Sequence, residues 1–340
     1  MRHIVAVLAA IAASSAAQAS EVAPLVRPDP SNWIIEGGTT AYATQLPPMK
    51  FGRNMSAFPV QGGADRGSYT PDRRFAFGAG VDLTVAYRLG GFAQATEIYA
   101  KGSYFGTDQW DGLRSNTAMT PFIDGIIRPG ITGGAVVGLF GSRSNDLTRT
   151  QHRLGLDLGV RRTYDMGGFT LTPGLFVGYQ NLSHRDQILE VGSDPRSMTL
   201  TTNMRGNYWR IGATLGGSMP VTPLISLFGN ASVSLDFLSA SFASMQTYTG
   251  TFFPPPTNVA VAGGSLTRTT WRAGGEAGVL FGSTTPWSVR ISGTVEYIAA
   301  TPSVVYPSFI ALSQSVSGPA FLSTASQLNL GLRTAVSYKF

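Results

Sequence analysis

The sequence predicts an all-β chain closed into a transmembrane antiparallel up-and-down barrel. Three observations carry that expectation. Apolar residues recur at every second position through segment after segment, the signature of strands with one apolar face. Tight Gly/Pro turns alternate with long irregular links. Only 13% of the 340 residues are charged, yet no stretch after the N-terminus has about 18 consecutive apolar residues, the minimum for a helical span. Only helices and closed barrels satisfy every backbone N–H and C=O in lipid, so a membrane chain without such a helix must be a barrel.

The N-terminus stands apart from this pattern. "MRH" is a short basic start, "IVAVLAAIAA" an apolar run too short to span, and "AQA" before Ser20 a small-residue cleavage site. Residues 1–19 are therefore expected to be an export signal. The chain has no Cys, which excludes disulfides, thiolate metal sites, a Cys nucleophile and a lipoprotein anchor. The formal net charge of +6 contains no Lys/Arg run of the kind that binds nucleic acid. No cofactor is expected, and no metal-ligand spacing is present.

Twelve spans are expected, at 32–44, 73–89, 92–108, 119–129, 135–142, 151–165, 169–182, 203–219, 224–238, 266–282, 287–299 and 328–340, with ten as the alternative if the poorly alternating stretch "FIDGIIRPGITGGAVVGLF" contributes no hairpin. Each needs only about 9–11 residues to cross lipid. In "HRLGLDLGVRRTYD", Leu154, Leu156, Leu158, Val160 and Tyr164 share one face, and Arg153, Asp157 and Arg161 the other. "LISLFGNASVSLDF" sets Ile225, Leu227, Val233, Leu235 and Phe237 against Asn230, Ser234 and Asp236. Turns are read at Gly90-Gly91, "MGG" 166–168, "PVTP" 220–223 and "STTP" 283–286, where Gly and Pro supply hairpin backbone angles. Long links are read at 45–72, 109–118, 143–150, 191–198, 246–264 and 305–322.

Aromatic residues sit where apolar faces meet the links. Tyr87, Phe92, Tyr164, Phe169, Phe281, Trp287, Tyr338 and Phe340 lie by the tight turns or the C-terminus, and Trp110, Tyr179, Trp209 and Phe237 toward the long links. Two interfacial girdles would be distributed in this way.

A charge on the lipid face costs about 2–4 kcal/mol at the midplane, so strand charges are expected to face the lumen. That assigns Arg74, Arg88, Lys101, Arg128, Arg153, Arg161, Arg210, Arg268, Arg272, Arg290 and Arg333 to the interior, with Asp82, Glu97, Asp124, Asp157, Asp236, Glu276 and Glu296. Counting back from the turns puts Asp82 diagonal to Lys101, and Glu296 opposite Arg272 or one pair away.

The chain ends "LNLGLRTAVSYKF". Its last residues, "VSYKF", with Tyr338 and terminal Phe340 closing an alternating strand, resemble the C-terminal signature strand of bacterial outer-membrane β-barrel proteins. The resemblance implies an address in the cell outer membrane, recognition by the barrel assembly machinery through Tyr338 and Phe340, and contact with outer-membrane lipid and lipopolysaccharide. It also implies a periplasmic N-terminal segment at 20–31 before a barrel at 32–340, with short turns on the periplasmic side.

Function then divides into three readings. The first is a porin-like passive channel or structural barrel with an Arg-rich lumen that favours anions if it conducts. The second is a rim hydrolase using His152 or His184 with Ser183, Arg185 and Asp186, weakened because the two histidines have opposite face parity. The third is a surface-binding barrel acting through long outer links such as 45–72. An autotransporter is not expected, since only a short segment precedes the first strand.

Overall fold

The computed structural model describes residues 32–47, 54–55, 70–71, 75–89, 96–114, 142–192, 197–249, 259–282, 284–306, 309–310, 315–316 and 320–340. The expected signal at 1–19, the segment at 20–31, Arg74, Phe92, Asp124 and Arg128 lie outside them. Asn32–Lys339 forms one unit. Its wall consists of ten long strands: β1 Trp33–Thr44, β2 Ala76–Arg88, β3 Thr96–Arg114, β4 Ser142–Arg162, β5 Thr170–Gly192, β6 Ser197–Pro220, β7 Ile225–Thr249, β8 Val259–Phe281, β9 Trp287–Val305 and β10 Phe321–Lys339. Every strand pairs antiparallel with its neighbours in sequence, and β1 pairs with β10 from Ile34↔Lys339 to Thr44↔Asn329, which closes the ring.

The ten-strand alternative holds in place of the expected twelve. β3 and β4 pair directly from Thr96↔Arg162 to Gly112↔Asp146, so no hairpin stands between them in the wall. The expected strands at 119–129 and 135–142 are corrected accordingly, and residues 115–141 lie outside the described residues. That stretch is apolar, but it lacks the period of two that places one face in lipid.

The described turns at 166–168 and 220–223 lie where Gly and Pro mark them, and Gly90-Gly91 lies outside the described residues. Met166 N–H donates to Phe169 O at 2.9 Å across the β4–β5 turn, where Gly167 and Gly168 take φ of 73° and 137°. These angles suit glycine, which has no Cβ to clash.

Both girdles are present. At the short-turn end Trp33 packs on Tyr87 at 4.8 Å and Trp287 on Tyr338 at 4.4 Å. At the other end Tyr179 packs on Trp209 at 5.0 Å and Trp271 on Tyr297 at 5.2 Å. Between them the outward face is an apolar belt that includes Phe77, Leu83, Leu156, Leu175, Ile211, Val233, Ile291 and Leu332, all exposed. Segments of about 11 residues join the girdles, as a lipid-crossing barrel requires.

Several strands run well past the second girdle. β5 to β8 have 23, 24, 25 and 23 residues. Residues 143–150, read from sequence as a link, are strand, as are parts of 191–198 and 246–264. The reason is a change of phase. Below the girdle β5 turns Leu175, Val177 and Tyr179 outward; above it Leu182 and Ile188 point inward while Ser183 and Arg185 face out. The apolar face changes sides, so a search for one continuous apolar face stops there.

Above the girdle the barrel holds an apolar core. Leu147, Leu182, Ile188, Leu200, Met204, Leu238, Phe242, Val304 and Tyr306 are buried against one another. β9 helps to build it. The β8–β9 pairing ends at Arg272↔Ile298, the β9–β10 register shifts between Ile298 and Thr301, and Ala300–Val304 is buried on both faces. Tyr208 of β6 donates its hydroxyl to Ala300 O at 3.1 Å, so this end of β9 lies inside the ring.

Candidate functional site

The lumen between the girdles is the one place where many of the predicted charges meet. Its strands run as β1-β2-β3-β4-β5-β6-β7-β8-β9-β10 around the ring, so β4 and β9 stand diametrically opposite. Arg153 of β4 donates from Nη1 to Glu296 Oε2 of β9 at 2.8 Å. This ion pair spans the full diameter. Glu296 also accepts from Arg272 Nη1 at 3.0 Å and from Asn329 Nδ2 at 2.7 Å. Arg272 continues to Asp236 at 2.9 Å and to Gln180 Oε1 at 2.6 Å. Arg210 pairs with Asp157. Gln151 and Gln327 join β4 to β10 at 2.9 Å.

A second cluster lies nearer the short-turn end. Arg333 reaches Asp82 at 2.6 Å, Glu36 at 2.7 Å and Glu276 at 3.2 Å, and Arg290 reaches Glu36 at 3.5 Å. Ser292 donates to Glu276 at 2.6 Å. At the rim, Glu97 is held between Arg88 at 2.9 Å and Arg161 at 2.8 Å. Lys101 is half-buried, opposite Asp157 on one side and Thr84 on the other, one step diagonal from Asp82. Several guanidiniums also rest on rings: Arg153 on Phe105 at 4.3 Å and Arg290 on Phe228 at 4.5 Å. A charge withdrawn from water needs such partners, since an unpaired one costs several kcal/mol.

The structure thus brings Asp82, Glu276, Arg290 and Arg333 into one group, and Arg153, Asp236, Arg272 and Glu296 into another. Asp157 and Arg210 form a separate pair, and Arg161 stays at the rim. Arg268 is not among them: it is exposed and donates to Thr324 Oγ1 at 2.8 Å. Tyr338 is in the girdle, and Phe340 is 49% exposed. The lumen read from sequence left out Glu36, a charge within span 32–44, and the polar Gln151, Gln180, Gln327 and Asn329. Gln151 has the face parity of Arg153, and Gln327 and Asn329 that of Arg333, so counting polar residues along with every strand charge would have found them.

Above the girdle, His184 and Asp186, both named from sequence as rim candidates, sit in a polar cluster with Arg149, which was missed because 143–150 was read as a link. Asp186 accepts from Arg149 Nε at 2.9 Å and contacts His184 Nε2 at 2.7 Å. Arg149 also donates to Pro47 O at 2.7 Å, tying β4 to the segment after β1. Burial alone would raise the Asp186 carboxyl; the Arg149 charge, then His184, outweigh it and hold Asp186 well below the usual carboxylate range. Burial pushes the Tyr306 phenol up to about 12. Tyr306 contacts Thr202 and lies 3.2 Å from Ser244 Oγ. The space left beside Pro47, Arg149, Asp186 and Tyr306 is about 10 Å³, room for one water.

The histidines diverge. His152 faces outward, 3.0 Å from the Tyr104 hydroxyl, and His184 is 1% exposed inside the wall. The Asp186–His184 contact exists, but Ser183 faces outward, away from both. Among the described residues no group of three or more His, Asp or Glu is placed to hold a metal.

No protein-family model matches the chain, and no curated protein does. Solved structures similar to it are outer-membrane barrels of Gram-negative bacteria. The outer-membrane protease OmpT from Escherichia coli aligns over 93% of this chain and 99% of its own, at 11% identity and a TM-score of 0.47. The translocator domain of the autotransporter NalP from Neisseria meningitidis aligns over 98% and 97%, at 13% identity and 0.43. Ail, the attachment invasion locus protein of Yersinia pestis, aligns over 92% and 100%, at 10% identity and 0.23.

Proposed function

We propose that the protein is a closed structural barrel of the outer membrane that presents a rigid, polar-faced tower to the medium, and that it does not conduct. The observation that carries this reading is the Arg153–Glu296 pair between diametrically opposite strands. A contact across the diameter divides the interior, and Arg272, Asn329, Asp236 and Gln180 occupy the space beside it. The apolar core above closes the same path a second time. The lumen arginines are matched by carboxylates at these distances, so they serve as internal ties rather than as a selectivity filter. Short turns mark the periplasmic side, which puts the tower outside the cell.

The test is single-channel recording on the refolded chain from residue 20 in a planar bilayer. A folded, inserted barrel with no current steps is expected. Discrete steps with an anion-leaning reversal potential would overturn the closed reading in favour of a selective channel.

A further inference from the structure

Most strand charges of this barrel point inward and are paired. Arg162 faces out at the short-turn end, over the Tyr164 ring. Above the second girdle, two arginines do neither. Arg185 of β5 and Arg205 of β6 are exposed on the outer surface above the second girdle, and neither has an ion-pair partner among the described residues. They are cross-strand neighbours. Arg205 pairs with Ser183, and Arg185, two residues along, pairs with Asn203, so the two guanidiniums are diagonal on one face. Like charges so placed repel unless an anion lies between them. On β4 to β8 above the girdle, the only other outward-facing charge among the described side chains is Asp146, at the level of Leu189, four residues beyond Arg185.

What lies beneath them completes the pattern. On the same face, four residues toward the lipid from Arg205, is Trp209, packed on Tyr179 at 5.0 Å with Phe237 paired beside it. Four residues of strand measure roughly 13 Å, and strand tilt reduces the height, which puts the arginines just above the interfacial layer. Between the rings and the arginines, Asn207 Oδ1 accepts from Tyr179 Oη at 2.8 Å and from Asn181 Nδ2 at 2.9 Å. From the membrane upward the order is therefore rings, amides, then a hydroxyl and guanidiniums. A glycolipid presents the complementary order: acyl chains, sugar and amide groups, then phosphate.

We propose that Arg185 and Arg205, with Ser183 and Asn203, bind the phosphorylated sugar headgroup of an outer-leaflet glycolipid. Arginine suits this role because its planar fork can give a phosphate two parallel hydrogen bonds. The inference rests on the reading above that the long-strand end faces outward from the outer membrane. The ligand is annular: it lies against the wall and does not enter the lumen.

The test uses the refolded full chain and the R185A/R205A variant, with bis-phosphorylated lipid A in detergent micelles as the probe. Binding is read by native mass spectrometry and by the upward shift of the unfolding temperature. Wild type is expected to retain lipid A, and R185A/R205A to bind it on the order of tenfold more weakly, with R185K/R205K between them. Dephosphorylated lipid A is expected to bind wild type as weakly as lipid A binds the double variant. Equal affinity of wild type and R185A/R205A for lipid A would overturn the proposal. So would full competition by millimolar inorganic phosphate, which would make the ligand a free anion. Insertion into phosphatidylcholine vesicles, read by quenching of tryptophan fluorescence with brominated lipid, separates the two claims. If neither protein inserts, the membrane reading itself fails. If both insert and neither prefers the phosphorylated lipid, only this site fails.

Discussion

One strand shows two opposite designs. In its lower half β5 turns Leu175, Val177 and Tyr179 to lipid and Gln180 to the lumen; in its upper half it turns Ser183 and Arg185 to water and buries Leu182 and Ile188. β6 and β7 do the same, with Trp209 and Leu235 outward below, and Leu200, Met204, Leu238 and Phe242 inward above. The lower half is apolar outside because its solvent is hydrocarbon, and polar inside because the charges excluded from lipid have nowhere else to go. The upper half follows the ordinary rule of a water-soluble barrel, apolar inside and polar outside. A single sheet ladder serves both, since backbone hydrogen bonds do not depend on which face is wet.

The halves should therefore fail by different means. The largest effect is expected in the lower half. Arg333→Met would leave Glu36, Asp82 and Glu276 facing one another without their shared cation. A loss of about 3–5 kcal/mol is expected, measured by urea unfolding of the barrel in lipid vesicles. A loss below 1 kcal/mol would show that the cluster is hydrated, not buried.

Next comes the upper core. Ile188→Ala removes a fully buried side chain and should cost about 2–4 kcal/mol. Hydrogen exchange would show faster opening of β5 to β7 above the girdle while membrane insertion stays unchanged. Slower insertion would mean that the two halves fold as one.

Acid should loosen the upper half through Asp186. Its folded pKa is depressed, so its contribution is present above the unfolded value near 4 and is lost as pH falls below that. Protonation removes the partner of Arg149 and His184. Exchange protection of the Ile188 and Leu200 amides is expected to fall with acid in wild type, while Asp186→Asn has low protection at every pH. The smallest effect belongs to Arg268→Ala. This exposed side chain ties β8 to Thr324, and its loss should shift stability by no more than about 0.5 kcal/mol.

The same contrast explains what could be read from sequence. Every strand of the lower half was visible, because lipid on one face imposes strict alternation, as in Leu154–Val160. The charges that build the lumen were visible for the same reason, since Arg153, Arg272 and Glu296 share a face with no other place to go. The Arg272–Glu296 pair was visible too, from the register counted back from the turn. The Arg153–Glu296 contact was not, since it depends on the curvature that brings β4 to β9, and no spacing in the chain encodes a diameter. The upper strands were read as links or left outside the spans because their polar outward residues, Thr148 and Thr150 in link 143–150 or Ser239 and Ser241 beyond span 224–238, look like loop composition. The stretch 119–142 misled in the other direction, being apolar enough for lipid but without the alternation that closes a wall.

The Arg153–Glu296 pair has a mechanical meaning as well as an electrostatic one. A hoop of ten strands resists stretching through its ladders, yet it can flatten into an oval without breaking any of them. A spoke between opposite points of the rim cannot keep a 2.8 Å contact through such a change. At that level the cross-section carries a brace that the ladders alone do not supply.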